Sequence, residues 1–241
     1  AGECVHAAFE FAEFTDAATW PAAVHRALLK HPPAASADAA TQATWPALLQ
    51  RLLADVLDTP LPIGTAQPLR LATLGPQRRL AELEFHLPAP RLNAAQLNQT
   101  LQALGYHDSA VDFATLRGYL KGYIDLVFEH DGRYFIADWK SNHLGDTPAT
   151  YGPAALDIAM ASHRYTLQHL VYGVALHRWL ARRMPGYRYE THFGGAVYLF
   201  VRGVRPGWRN ADGSPTGLHF HRPTAVAMQR LSALLAGDET P

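Results

Sequence analysis

The chain has 241 residues, 48% of them hydrophobic, and balances 21 Lys and Arg against 21 Asp and Glu. That length and apolar content suit one domain spanning 1–241 with a real core, while the neutral charge lacks the basic excess of an autonomous nucleic-acid binder, so any DNA contact must be a local groove or depend on a larger assembly. The one cysteine, Cys4, excludes an internal disulfide, a four-cysteine zinc site and an all-cysteine iron–sulfur cluster and fits a reducing compartment, and no apolar run approaches the ~20 residues of a membrane span.

In chain order, apolar residues recur at helical spacing from Gly2 to Phe14 and again from Trp20 to Lys30. The Pro/Ala/Ser stretch His31 to Ala40 reads as a loop, and Trp45 to Leu57 as a third helix that Asp58-Thr59-Pro60 ends. Leu69 to Leu74, Ala81 to Leu87, Tyr123 to His130 and Arg133 to Ser141 read as strands, interrupted by a helical insertion from Asn93 to Gly105. Tyr151 to Met184 is helical, Phe193 to Arg202 is an apolar run suited to a buried strand, and a terminal helix follows Pro223. This order predicts an α/β architecture, a sheet flanked by helices.

The chemistry concentrates in one hairpin. Asp125 and Asp138 are 13 residues apart, and the turn His130-Asp131-Gly132-Arg133 folds one run onto the other, so both acids can reach one cation. Lys140 lies two residues beyond Asp138 and shares its strand face. Two carboxylates and the carbonyl of Trp139 are hard oxygen donors suited to Mg²⁺, and a lysine aimed at the same spot would stabilise charge on a phosphate or position an attacking water. The plainer alternative is a pair of strand-end acids with a solvated lysine. Against it, Ile124, Val127, Ile136 and Trp139 mark a central strand, where an unpaired Asp is costly unless it binds something.

The segment from Gly118 to Val127 (GYLKGYIDLV), with Asp138-Trp139-Lys140-Ser141-Asn142, resembles the RecB-like nuclease domains of the PD-(D/E)xK superfamily. Gly2-Glu-Cys-Val-His6 resembles that family's Gly-x-x-x-His motif, His163 to Tyr172 its Gln-x-x-x-Tyr helix, and His192 to Gly203 its late strand, so the likeness runs over essentially the whole chain. The resemblance implies a restriction-endonuclease-like core with a central mixed sheet flanked by helices. It implies that His6, Asp125 and Asp138 bind Mg²⁺ and that Lys140 is catalytic. Ile124 stands where the superfamily's proline would, and Gly122 supplies the glycine of the RecB-like Gly-x-x-Asp pattern.

Imidazole is softer than Mg²⁺ prefers, which makes Mn²⁺ an expected substitute. Glu82 aligns with an acidic position near the family's metal, the alternative being a surface strand glutamate. Gln168 and Tyr172 are four apart on one helix face and suited to a phosphate or to positioning the lysine and metal ligands, unless Tyr172 simply packs in the core.

No Gly-x-x-x-x-Gly-Lys-[Ser/Thr] phosphate loop occurs, so this chain is not the motor, and the resemblance implies that any ATP dependence belongs to a helicase region outside it. The resemblance implies DNA, mainly single-stranded, as substrate in break repair and recombination, a bacterial cytoplasmic setting, the RecC and RecD subunits and a RecB helicase region as partners, and contact with the RecA recombinase. Trp208 and Arg209 are candidates for a partner surface, although a Gly/Pro-flanked loop accounts for them equally well. The competing readings are a catalytically inactive docking module of the same fold and a small-molecule phosphoesterase of another fold. Joint retention of His6, Asp125, Asp138 and Lys140 argues against the first.

Overall fold

The computed structural model describes residues 2–32, 39–65, 68–113 and 115–237. Helix α1 (Gly2–Phe11) buries Cys4, Val5, Ala8 and Phe9 and ends three residues before Phe14. A short 3₁₀ turn capped by Asp16 leads into α2 (Trp20–Lys30), where Pro21 sits in the first turn and gives up no hydrogen bond. Of the expected His31–Ala40 loop, residues 33–38 lie outside the described residues. Helix α3 (Ala39–Leu57) starts earlier than Trp45, so Pro46 is carried inside the helix rather than opening it.

Strands β1 (Pro60–Leu61) and β2 (Leu69–Arg70) form a small antiparallel pair. The expected strand Leu69–Leu74 stops at Arg70. A 3₁₀ turn over Leu71–Thr73 takes its place and still buries Leu71 and Leu74 completely.

Strand β3 (Arg79–Leu92) precedes α4 (Ala94–Ala103), whose N-cap Asn93 accepts from the amides of Ala95 and Gln96. The main sheet continues with β4 (Leu116–His130) and β5 (Arg133–Lys140). Next come α5 (Pro153–Ser162) and α6 (Tyr165–Arg183), two helices where the sequence pattern reads as one. Arg164, in a left-handed conformation at φ 55°, turns the chain between them. A short α7 (Tyr189–His192), β6 (Phe193–Phe200), β7 (Leu218–His221) and α8 (Ala225–Ala236) complete the order.

The five-stranded sheet runs β3-β4-β5-β6-β7, parallel only between β5 and β6, and is therefore mixed. Strand β6 is buried along its whole length, as its unbroken apolar run implies. One face packs Leu126, Phe128, Phe135, Ala137 and Trp139 against α1–α3; the other packs Ile124, Val127, Ile136, Tyr198 and Phe200 against α5, α6 and α8. The expected α/β sheet flanked by helices is what forms. Among the described residues no helix is long and apolar enough to cross a membrane.

β3 and β4 are much longer than the sequence pattern indicates. They pair from Arg79–Phe128 out to Leu92–Leu116, whereas β4 pairs with β5 only between Leu126 and His130. Beyond Leu126, β3 and β4 continue as a two-stranded ribbon, closed at its far end by α4.

Candidate functional site

The site lies where that ribbon parts from β5. The last β4–β5 pair is Leu126–Ala137, and extending the register by one residue sets Asp125 opposite Asp138. On the other side of β4, the pairs Ala81–Leu126 and Leu83–Ile124 set Glu82 opposite Asp125. Three acids therefore stand at one level of three neighbouring strands. Like charges directly opposite each other destabilise a ladder, and here the ladder opens. Trp139 N–H, lacking a β4 partner, donates instead to Asp125 Oδ2 at 2.8 Å.

Helix α1 closes over this gap. Phe9 stacks on Trp139 with ring centroids 4.2 Å apart, and a Cβ on Gly2 would sit 3.0 Å from Ser141 Oγ, so glycine there lets the helix start lie against the end of β5. One turn along, His6 Nδ1 reaches Asp125 Oδ2 at 3.4 Å and the ring also bonds the Trp139 backbone. Burial lowers the His6 pKa, but the hydrogen bond and charge of Asp125, then Asp138 and the Trp139 backbone, outweigh it and raise it.

Asp138 is 1% exposed. Lys140 Nζ lies 2.6 Å from its Oδ2, a close ion pair that gives this buried oxygen a cationic partner. Burial first and the Asp125 charge second push the Asp138 carboxyl up to about 7, against the opposing pull of Lys140 and His6. Lys140, itself buried, donates to Gln168 Oε1 at 2.8 Å and lies 3.9 Å over the Tyr165 ring. Gln168 Nε2 donates to the Tyr172 hydroxyl at 2.8 Å, and Tyr198 donates to Gln168 Oε1 at 3.3 Å. Gln168 and Tyr172 thus act together, one turn apart on α6, holding the lysine head over Asp138.

Tyr172 both packs and participates. Phase and fit come from Gly122: a Cβ there would meet the Phe85 ring at 2.6 Å, and Phe85 in turn packs edge-on against Tyr172 at 5.6 Å. Burial, then the Asp138 charge, raises the Tyr172 pKa, so the phenol stays protonated. Glu82 sits in left-handed backbone at φ 52°, a strained position for a non-glycine residue. Burial, then Asp125 and Glu10, raise its pKa, with His6 and Lys30 opposing.

The structure brings His6, Asp125, Asp138, Trp139, Lys140, Gln168 and Tyr172 together, with Glu82 at the edge. It does not bring three His, Cys, Asp or Glu side chains of the described residues into a ready-made cluster around one ion. His6 and Asp125 face each other, and Lys140 leans on Asp138. The donor chemistry nevertheless fits a hard divalent cation: two carboxylates at one level, one of them 1% exposed and pushed up in pKa by the other, are costly together unless a positive charge meets both. Sequence reasoning missed Tyr165 and Tyr198, which box in the lysine, and Glu10, whose signal was its spacing of four from His6. Trp208 is not a free surface aromatic: it packs on Tyr151 at 5.9 Å beneath Arg205.

The fold and this row of acids with its adjacent lysine define a nuclease class, and the PD-(D/E)XK nuclease superfamily model matches residues 1–236. The chain belongs to that superfamily. Among curated proteins it is similar to the RecBCD enzyme subunit RecB of Escherichia coli (strain K12), 38% identical over 79% of this chain and 16% of that protein. The RecBCD enzyme subunit RecB of Mycobacterium tuberculosis (strain ATCC 25618 / H37Rv) is 35% identical over 97% of this chain and 23% of its own length. That of Haemophilus influenzae (strain ATCC 51907 / DSM 11121 / KW20 / Rd) is 36% identical over 77% and 15%. The chain thus spans less than a quarter of these relatives.

Proposed function

We propose that this chain is a Mg²⁺-dependent DNA nuclease module that hydrolyses phosphodiester bonds, mainly in single strands delivered by a helicase. The observation that carries this reading is Asp138: buried, in register with Asp125, raised in pKa by burial and by that second carboxylate, and 2.6 Å from Lys140. His6, Asp125, Asp138 and the Trp139 carbonyl would hold the ion, with Mn²⁺ as a substitute. When bound, it supplies a lowered pKa for water and neutralisation of phosphate charge.

The chain's own residues do the rest. Lys140, held by Gln168 and backed by the Tyr165 ring, presents a fixed cation to the developing charge on the phosphate. Gln168, bonded in turn to Tyr172, gives the ammonium a second anchor besides Asp138, and Glu82 adds an acidic group beside Asp125. Helix α1, through the Phe9–Trp139 stack, brings His6 in from above and closes one side of the site.

The relatives' shared name, RecBCD enzyme subunit RecB, supports an assembly with RecC and RecD; to these we add a RecB helicase region as the source of DNA, a role in break repair and recombination, and RecA as a further partner. Neutral net charge agrees with a module that receives its substrate rather than capturing it. The test is degradation of single-stranded DNA in Mg²⁺ by the native chain beside Asp125→Ala and Lys140→Gln. Cleavage confined to the native chain is expected. Native cleavage no greater than that of the variants, even at low salt, would make the inactive docking module the better account.

A further inference from the structure

The exposed face of the β3–β4 ribbon has no place in the site described above. Side chains alternate along a strand, so Arg117, Tyr119, Lys121 and Tyr123 share one face of β4, and Asp125 is the next residue in that series. The opposite face turns inward: Leu120, Gly122 and Ile124 lie against Leu87, Phe85 and Leu83 across the pair and pack toward α6. The outer series is open. Tyr119 is 72% and Tyr123 43% exposed, and Arg117 and Lys121 are exposed as well. Among the eight large, largely apolar side chains that the described surface leaves exposed, Tyr119 and Tyr123 are the two aromatic ones.

We infer that this face is a landing strip for single-stranded DNA, on which Tyr119 and Tyr123 stack bases while Arg117 and Lys121 meet phosphates, leading the strand to Asp125. This rests on the nuclease reading above. Alternating aromatic and cationic side chains on an open strand face are what sequence-tolerant single-strand binding requires. Successive members of the series lie ~6.7 Å apart, and Arg117 to Asp125 spans roughly 27 Å, room for about four extended nucleotides. The cross-strand partners on this face are Glu84, His86 and Pro88. Lys121 Nζ lies 2.8 Å from Glu84 Oε1 and 5.4 Å over the Tyr123 ring, and His86 bonds the same carboxylate oxygen at 2.8 Å. Glu84 thereby props Lys121 beside Tyr123 in the absence of a phosphate, and its charge is met by two neighbours rather than left to repel the strand.

A protein partner would also cover exposed tyrosines, but it would not call for a cation between the two rings and another before them, nor for the series to run into an aspartate of the proposed metal site. The test is fluorescence anisotropy of labelled oligothymidylates in EDTA and low salt, run beside Mg²⁺-dependent cleavage on the same proteins. Tyr119→Ala and Tyr123→Ala are each expected to weaken binding roughly tenfold, and the Phe variants to stay within about twofold, because stacking needs the ring and not the hydroxyl. Arg117→Gln and Lys121→Gln are expected to reduce the salt dependence. Affinity is expected to level off once the oligomer covers the strip.

Native-like binding by the alanine variants, equal loss in the Phe variants, or no oligomer binding by the native chain would overturn the proposal. The first of these would give the strip to a protein contact. Cleavage by the native chain with binding indifferent to the tyrosines sinks the strip and leaves the nuclease reading standing. Tyrosine-dependent binding without cleavage does the reverse.

Discussion

If the row of acids is a cation site, adding a divalent ion must stabilise the fold, and do so more at pH 8 than at pH 6. Asp138 is raised from 3.8 to about 7, so the folded, ion-free chain holds its proton more tightly than the unfolded chain does. Its contribution to the ion-free fold therefore falls as pH rises through that window. His6 acts in the same direction: its raised pKa contributes stability below the ordinary 6.5 that is lost as pH rises through the folded value. A cation needs both groups unprotonated. With Asp138 titrating near 7, the binding-competent fraction changes about tenfold between pH 6 and pH 8, which is ~1.4 kcal/mol. At an ion concentration of about 100 times Kd at pH 8, stabilisation is ~2.7 kcal/mol, and at pH 6 it falls to ~1.4 kcal/mol. For a chain of this size each kcal/mol shifts Tm by about 2–4 °C, so rises of roughly 5–10 °C at pH 8 and half that at pH 6 are expected. Thermal melts in Mg²⁺ or Ca²⁺ against EDTA at both pH values measure this. A shift equal or larger at pH 6, or none at pH 8, would refute the assignment of Asp138 and His6 to the ion.

Replacing Lys140 with Gln is expected to cut single-strand degradation by about 10²–10³ while calorimetric Ca²⁺ binding persists, since the ammonium competes for Asp138 rather than helping to hold the ion; a rate within tenfold of native would remove the lysine from the chemistry. Gly122→Ala places a methyl 2.6 Å from the Phe85 ring, and denaturant titration is expected to show a loss of ~1–3 kcal/mol. An unchanged midpoint would mean that Phe85 swings aside without strain. Phe9→Ala removes the stack on Trp139 and is expected to cost ~3–5 kcal/mol. It should also weaken cation binding, because α1 carries His6; lost stability with unaltered affinity would separate the helix's docking from the site.

The parts legible in the sequence are those set by local spacing. Asp125, Asp138 and Lys140 were visible because a hairpin turn and a period of two fix where they sit, and Gln168 with Tyr172 because four residues make a helical turn. Strand β7 was not legible: four half-buried residues, two of them histidine, present no alternation to read. The extent of β3 and β4 was missed for a related reason. Their far halves are covered on one face only, by α4, α6 and α8, so Pro88, Pro90 and the exposed tyrosines break the apolar pattern while pairing continues to Leu92. The break between α5 and α6 depends on one left-handed residue, Arg164, and nothing about an arginine announces that conformation.

What the sequence could not convey was why the acids are tolerated. Glu82, Asp125 and Asp138 fall at one level of three adjacent strands, an arrangement a continuous sheet would resist. The fold answers by ending the β4–β5 ladder at that level and turning Asp125 to take the Trp139 amide that the missing ladder would have used. Glu82 takes a strained backbone at the same level, and Lys140 is drawn in from two residues along the strand that carries Asp138. Each adjustment lessens repulsion without removing it. A divalent ion is the one addition that would turn the opposition of Asp125 and Asp138 into shared ligation and release Lys140 toward a phosphate. The opening of the sheet therefore accommodates the crowded acids and, on the proposed function, is the space in which a cation and a DNA strand would meet.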